Sequence, residues 1–332
     1  MKSKYLVCGA GGSIGGHLVK SLLDDGHEVI CADIKPLENW FQINNSTKNL
    51  SLDLKEYENC VEVSKGVDFI YNMACNMGGK GFIENNKAEC MLSVLINTNL
   101  LRGCLVNKVK RYFFSSSACV YNAEKQSSNF IEGLKESDAY PAMPEDGYGW
   151  EKLFSERMCR HFYEDYGLET RVARYHNVYG PMGTFDGGRE KAPAALCRKV
   201  ITAKNSGTKK IDVWGDGEQT RSFMFIDDCI KGTKKIFESD CREVLNIGSE
   251  EQVSINQMIK IIEEIGDYKV EKNYQLDKPK GVRGRSSNND LVRMKIGWDF
   301  ETNLKMGLRI TYNWIEEELK KKLNNNKFTI KY

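Results

Sequence analysis

The sequence predicts an α/β protein: a doubly wound parallel sheet, followed by a smaller mixed α/β domain. Three observations predict it. Short apolar strand-like runs alternate with amphipathic helical runs over residues 5–175, the rhythm of parallel strands joined by crossover helices. A glycine-rich turn stands between the first strand and the first helix. After Pro181 the rhythm loosens into short strands, loops and turns. Residues 1–180 are assigned to the sheet domain and 181–323 mainly to the second, with some of that chain returning to the first sheet; 324–332 reads as a tail.

A chain of 332 residues holds one large or two ordinary domains. With 41% hydrophobic and 28% charged residues, the composition is that of a soluble globular protein. The net charge of +2 gives no basic face for nucleic acid, and Lys320-Lys321-Lys322 reads as a solvated helix end. No segment is expected to reach the roughly 18 apolar residues of a membrane span, and the residues after Met1-Lys2-Ser3-Lys4 read as a buried strand rather than a signal peptide. The 11 cysteines form no CxxC pair, and His17, His27, His161 and His176 have no metal-ligand spacing. Reduced thiols, a cytoplasmic location and no metal are the expectation.

Tyr5-Leu6-Val7-Cys8 reads as a buried parallel strand. It runs into Gly9-Ala10-Gly11-Gly12-Ser13-Ile14-Gly15 and then a helix over 17–25. Gly9, Gly12 and Gly15 permit a tight turn and close approach of the backbone to a pyrophosphate, whose charge sits at the helix N-terminus; Ser13 and Ile14 belong to the same cradle. The next strand, 28–32, ends at Asp33. An acid about 20 positions past the glycines can bind a ribose 2′-hydroxyl, which favours NAD over NADP; a plain turn residue is the other reading of Asp33. Strand, glycines, helix, strand and acid in this order predict a Rossmann-type NAD site. Asp53, after a third short strand, is a candidate for the adenine amino group, with an exposed turn aspartate equally open.

A fourth strand over 67–74 leads to the glycine-dense loop Asn76-Met77-Gly78-Gly79-Lys80-Gly81. A long helix over 88–107 precedes the strand Arg111-Tyr112-Phe113-Phe114. The hydroxyls of Ser115-Ser116-Ser117 are expected to emerge where that strand ends. Tyr148 and Lys152 then fall four apart on one face of a helix. A lysine beside a phenol lowers its pKa from about 10. The phenolate then takes a hydroxyl proton while a nicotinamide takes the hydride, and Ser117 holds the same oxygen. Tyr-x-x-x-Lys alone fits any amphipathic helix; its context gives it weight.

Beyond the strand 170–175 come His176-Asn177-Val178-Tyr179-Gly180-Pro181, a loop over 183–188 and a helix over 193–203 with Lys191 at its mouth, where a solvated lysine is the ordinary reading. Strands over 211–214 and 222–226 flank Gly215-Asp216-Gly217. Ser254 and Gln257 form a capping box that opens a helix to Gly266. Gly281-Val282-Arg283-Gly284-Arg285 is a basic turn able to fork onto a diphosphate. A last helix spans 304–323, and Asn324-Asn325-Asn326 starts a frayed tail.

Nearly the whole chain resembles the extended short-chain dehydrogenase/reductases that act on nucleotide sugars, and within them the branch that epimerises GDP-hexoses at C3 and C5. The resemblance rests on Asn76-Met77-Gly78-Gly79-Lys80-Gly81-Phe82, Ser116-Ser117-Ala118-Cys119-Val120-Tyr121 and Gly187-Gly188-Arg189-Glu190-Lys191-Ala192-Pro193. It rests also on Trp214-Gly215-Asp216-Gly217-Glu218-Gln219-Thr220-Arg221-Ser222-Phe223 and the basic turn at 281–285. It implies that Tyr148 and NAD oxidise the sugar C4, that Cys119 and Lys191 exchange protons at C3 and C5 from opposite ring faces, and that C4 is then reduced again. A thiol of pKa about 8.5 and a desolvated lysine both suit that task. It also implies substrate contacts from Gly78, Ser117, Ala118, Cys119, Asn177, Glu190, Lys191, Ala192, Lys199, Gln219, Arg221 and Arg283, with Arg221 and Arg283 clamping the diphosphate of a GDP-sugar. A homodimer, joined through the helix near 88–107 and the one after Tyr148, is implied too. The chain departs from the pattern at Cys75-Asn76, where Ala-Asp is common, and at Lys80, where Met is usual. Relatives with simple C4 chemistry leave Cys119 and Lys191 without a task, and a catalytically idle binding module has no need of the full set.

Overall fold

The computed structural model describes residues 2–279 and 281–325. Strands β1 (Lys4–Cys8), β2 (Glu28–Asp33), β3 (Lys48–Ser51), β4 (Phe69–Asn72), β5 (Arg111–Ser117) and β6 (Glu169–Tyr175) alternate with helices α1 (Ser13–Asp24), α2 (Tyr57–Val63), α3 (Lys80–Asn85), α4 (Lys87–Met91), α5 (Ser93–Asn107) and α6 (Asp146–Tyr166). The chain continues through β7 (Val178–Tyr179), α7 (Ala192–Ser206), β8 (Lys210–Trp214), β9 (Thr220–Ser222), β10 (Met224–Phe225), α8 (Ile226–Glu238) and β11 (Leu245–Ile247). It closes with β12 (Gln252–Ser254), α9 (Ile255–Gly266), β13 (Glu271–Gln275), β14 (Gly284–Arg285), α10 (Asp290–Ile296) and α11 (Leu304–Asn325).

One 7-stranded parallel sheet of order β11-β6-β5-β4-β1-β2-β3 carries the predicted doubly wound fold. Both faces are covered, which is why its strands read as unbroken apolar runs. Successive residues go to opposite layers. Leu6, Cys8, Ile70, Tyr112, Phe114 and Val172 pack with α2, α5 and α6, whereas Tyr5, Val7, Tyr71, Phe113 and Ala173 pack with α1 and α8. Strand order reverses between β1 and β4, so the crevice for a ligand opens at their carboxyl ends.

The second half builds small sheets beside that crevice. β12-β9-β14 form one, β13-β8 another and β10-β7 a third. The strands flanking Gly215-Asp216-Gly217 therefore lie in different sheets, and β11 returns to the large one. The Ser254–Gln257 capping box forms as read, with Ser254 Oγ accepting from Gln257 N (3.1 Å) and Gln257 Oε1 from Ser254 N (2.8 Å).

Several boundaries move for physical reasons. The expected helix 88–107 is two helices broken at Leu92, whose N–H still donates to Ala88 O (3.0 Å). By length and composition the stretch Lys87–Asn107 suffices to cross a membrane, contrary to the expectation that no segment would. One side of it packs against α2 and α6 and carries buried polar anchors: Asn97 Oδ1 accepts from Tyr112 Oη (2.7 Å) and Asn99 Nδ2 donates to Lys55 O (2.7 Å). Strand β5 runs through all three serines because they pair in register with β6, Ser117 opposite Tyr175. The last helix continues to Asn325, so the first residues of the expected tail are helical; residues 326–332 lie outside the described residues.

Candidate active site

The cofactor end is built from backbone. Gly9 takes φ +80°, and a Cβ there would stand 2.8 Å from Ala74 N; one at Gly15 would stand 2.2 Å from Gly9 O. Any side chain would thus collide with backbone and force the turn open. Gly12 caps α1 with no side-chain hydrogen bond, which leaves the N–H groups of Ser13 and Ile14 for an anion at the positive helix end. Asp33 ends β2, its Oδ2 accepting from Gly11 N and its Oδ1 from Lys35 N, both at 3.0 Å. Each oxygen keeps a second lone pair, as a ribose hydroxyl requires. These features fit a dinucleotide. Asp53 takes the turn arrangement, with Oδ1 accepting from Lys55 N (2.9 Å) and Oδ2 facing Lys55 Nζ (3.6 Å).

The redox corner stands on β5 and α6. Ser115 Oγ donates to Asn72 O (2.9 Å) and Ser116 Oγ to Glu156 Oε1 (2.5 Å), both buried. Only Ser117 reaches the crevice, contrary to the reading that the whole run emerges. Glu156 also binds Arg174 through two hydrogen bonds (2.9 and 2.7 Å), which ties α6 to β6. At the other end of α6, Glu145 N–H donates to Cys119 O (3.0 Å). That bond sets Tyr148 beside Cys119, the two packing with Cys75, Met77 and Ile83.

Lys152 is 1% exposed, with its Nζ 5.6 Å from the centre of the Tyr148 ring and 3.7 Å from Glu151 Oε2. The pair on one face is as predicted, but its electrostatics are not. Burial drives the Tyr148 phenol well above its ordinary value, with Cys75, Cys119 and Glu151 adding to the rise and Ser117 opposing it. The lowering expected from Lys152 loses to burial and to Glu151, whose carboxylate faces the ammonium. Although burial works against its charge, Lys152 is held above its ordinary value by Cys75 and Glu151 and so stays a cation.

The second corner comes from loops. Cys119 lies in the short turn Ala118–Val120, its N–H donating to Ser117 Oγ (3.2 Å). Burial pushes its thiol up, but Arg285, Ser117 and Lys80 outweigh it and hold the thiol below its ordinary value. Arg285 Nη1 stands 3.6 Å from Cys119 Sγ. Lys191 precedes α7, and the Gly79 N–H to Arg189 O bond (3.0 Å) lays the glycine loop along its segment. Burial lowers the Lys191 ammonium, while the sulfurs of Cys119, Cys75 and Cys229 work the other way. A thiol and an amine are thus both shifted towards neutrality in one pocket.

The remaining predicted contacts are spread around it. Asn177, at φ 44°, donates Nδ2 to Ser222 O (2.9 Å). Gln219 donates Nε2 to Trp214 O (3.0 Å), and its buried Oε1 has no partner among the described residues. Gly78 precedes α3 in the glycine loop and Ala192 opens α7. Glu190 is held by Gly188 N–H (2.6 Å) and Arg198 (3.1 Å), and Lys199 Nζ donates to Asp212 O (2.7 Å). Arg221 donates to Thr220 O and Val282 O (2.7 Å each), and burial pushes it down to about 10. Arg283, expected to clamp the diphosphate together with Arg221, hydrogen-bonds Asp216 (3.0 and 2.9 Å). Sequence reasoning passed over Arg285: both arginines were in the basic turn, but only the pairing of Arg285 with Arg221 across β14 and β9 turns it to the pocket.

Comparison with known proteins fits this geometry. The sequence profile of the NAD dependent epimerase/dehydratase family matches residues 5–248. The chain is 45% identical over 319 residues to GDP-mannose 3,5-epimerase of Arabidopsis thaliana, covering 96% of this chain and 83% of that protein. It is 46% identical over 321 residues to GDP-mannose 3,5-epimerase 1 of Oryza sativa subsp. japonica, with the same coverage. Among solved structures, UDP-glucose 4-epimerase of Thermotoga maritima with UDP-glucose superposes with a TM-score of 0.85 at 24% identity, over 95% of this chain and 99% of that one.

Proposed function

The chain belongs to the NAD dependent epimerase/dehydratase family, and we propose that it acts as a GDP-mannose 3,5-epimerase. The observation that carries this is the meeting of Cys119 and Lys191, each shifted towards neutrality, beside Ser117, Tyr148 and Lys152. A C4 epimerase needs the last three alone. Proton exchange at two further carbons needs a base and an acid that both work near neutral pH.

Gly9, Gly12, Ser13, Ile14, Gly15 and Asp33 hold the dinucleotide. When bound, NAD would supply the acceptor and donor for the C4 hydride, and its oxidised form would favour the phenolate electrostatically. Ser117 Oγ orients the C4 hydroxyl, and Tyr148 Oη removes its proton, with Lys152 as the cation on the same helix face. The C4 ketone acidifies the hydrogens on C3 and C5. Cys119 Sγ and Lys191 Nζ, one on each ring face, remove a proton from one side and return one to the other. Tyr148 gives its proton back to the C4 oxygen in the final reduction. Arg221 and Gln219 bind the GDP portion, the orphaned Gln219 Oε1 supplying an acceptor for a substrate N–H.

A homodimer fits the surface beside the site. Trp150 and Phe154 on α6 are 47% and 56% exposed, and Met91 on α4, Leu92 at the break and Leu95 on α5 are exposed on the segments packed against α6. Exposed apolar residues gathered on adjoining helices mark an interaction surface, and sedimentation giving a single monomeric species would remove the proposal.

The function is tested by proton NMR of GDP-mannose with the purified protein in deuterated buffer, no NAD being added. Deuterium at C3 and C5 with new galactose- or gulose-type signals is the expected result. Turnover of another nucleotide sugar without exchange there would retire the assignment.

A further inference from the structure

Three charged side chains meet behind the Cys119 thiol. Glu145 Oε2 accepts from Lys80 Nζ (3.0 Å), and Glu145 Oε1 accepts from Arg285 Nη2. Arg285 Nη1 lies 3.6 Å from Cys119 Sγ, and Gln126 Oε1 steadies its Nε (2.7 Å). The Arg285 and Glu145 side chains are 6% and 10% exposed, so solvent screens them little. Lys80 reaches a second carboxylate, Glu84 (3.1 Å), which is more open to solvent. Its stem runs along Gly281, where a Cβ would meet both Lys80 Cε and Arg221 Nη2 at 3.3 Å.

By themselves Arg285 and Glu145 make a neutral pair, and the carboxylate cancels much of the guanidinium field at the sulfur. A second cation on the far oxygen of Glu145 offsets that carboxylate and leaves the Arg285 charge facing the thiol. We propose that Lys80 and Glu145 are a positioning pair for Cys119: Glu145 anchors Arg285 against the sulfur, and Lys80 offsets the charge of the anchor so that Arg285 favours the thiolate. Both act through Arg285 and not on the sugar. The other groups facing Cys119 are Ser117 at the end of β5, Tyr148 on α6, Lys191 before α7 and Arg221 on β9. The role of this pair in turnover rests on the assignment of Cys119 as an acid–base group.

The test follows alkylation of Cys119 by iodoacetamide against pH, read from its peptide by mass spectrometry on the full-length protein. Lys80→Met is expected to move the midpoint to higher pH and slow alkylation at pH 7 by about 3- to 10-fold, the size of half to one pKa unit. Lys80→Arg keeps the charge and the wild-type midpoint. The double variant Lys80→Met/Glu145→Gln recovers to within about twofold of wild type, because acid and base leave together and the amide still accepts from Arg285. An unchanged midpoint in Lys80→Met, or a double variant as slow as the single, overturns the proposal. Thermal unfolding of each variant separates a shifted thiol from a damaged fold. Deuterium exchange in the same samples separates the two claims. A shifted midpoint with no exchange in the wild type retires the epimerase and keeps the pair; exchange with no shift does the reverse.

Discussion

The two corners of this site tune their acids in opposite directions. On regular elements, β5 and α6, burial and negative neighbours raise the Tyr148 phenol far above its ordinary range. In the turn packed against it, Arg285 and Lys80 bring the Cys119 thiol below its own ordinary value despite the upward push of burial. Burial pushes both groups the same way, since it disfavours the charged form of any acid. What differs is the nearest fixed charges: Glu151 beside Lys152 in one corner, Arg285 against the sulfur with Glu145 and Lys80 behind it in the other. The lesson is that enclosure alone does not decide a protonation state; the charges enclosed with the group do.

The largest test of the contrast is to remove each acid in turn. Tyr148→Phe is expected to abolish turnover and C3/C5 exchange together, because no ketone forms to acidify those hydrogens. Cys119→Ala is expected to lose exchange by about 100- to 10,000-fold, the usual contribution of a general acid or base, while transient reduction of the cofactor by substrate, read by absorbance, persists. Exchange at wild-type rate in Cys119→Ala would break the division of labour between the corners.

The scaffold of the redox corner is expected to yield the next largest effect. Arg174 and Glu156 are each 3% exposed and joined by two hydrogen bonds, so Arg174→Ala leaves an unpaired buried carboxylate. The cost is about 3–5 kcal/mol, measurable by urea denaturation, and a loss under about 1 kcal/mol would show that Glu156 finds another partner. No such penalty is expected for Lys80→Met, whose pair is more exposed.

The smallest effect is a matter of pH. A thiol held below 9.0 carries more thiolate at every pH beneath that value, so Cys119 alkylation is expected to reach half its maximum below pH 9.0 and to fall as pH drops further. Cys60, pushed up to about 12 by burial, and Cys90, to about 11, are expected to stay unreactive across the same range. Equal reactivity of all three would remove the electrostatic account of the loop corner.

Local chemistry in the sequence was sufficient for the doubly wound sheet, the glycine turn before α1, the placement of Asp33 and Ser117 at strand ends, and Tyr148 and Lys152 on one helix face. Each depends on neighbours within a few residues: a period of two or 3.6, a glycine where no Cβ fits, a four-residue helical offset. The roles of Cys119 and Lys191 came from likeness to a family, since nothing in their own surroundings separates them from a packed thiol and a solvated lysine. Tertiary structure alone decided the rest. It clasped Arg283 to Asp216 and turned Arg285 to the sulfur, through a strand pairing that joins residues far apart in the chain. It buried Tyr148 beside Glu151, reversing the expected sign of its shift, and it brought Lys80, Glu145 and Arg285 around one thiol. Such charges act through space with a strength set by distance and burial, and neither quantity is written in the order of residues.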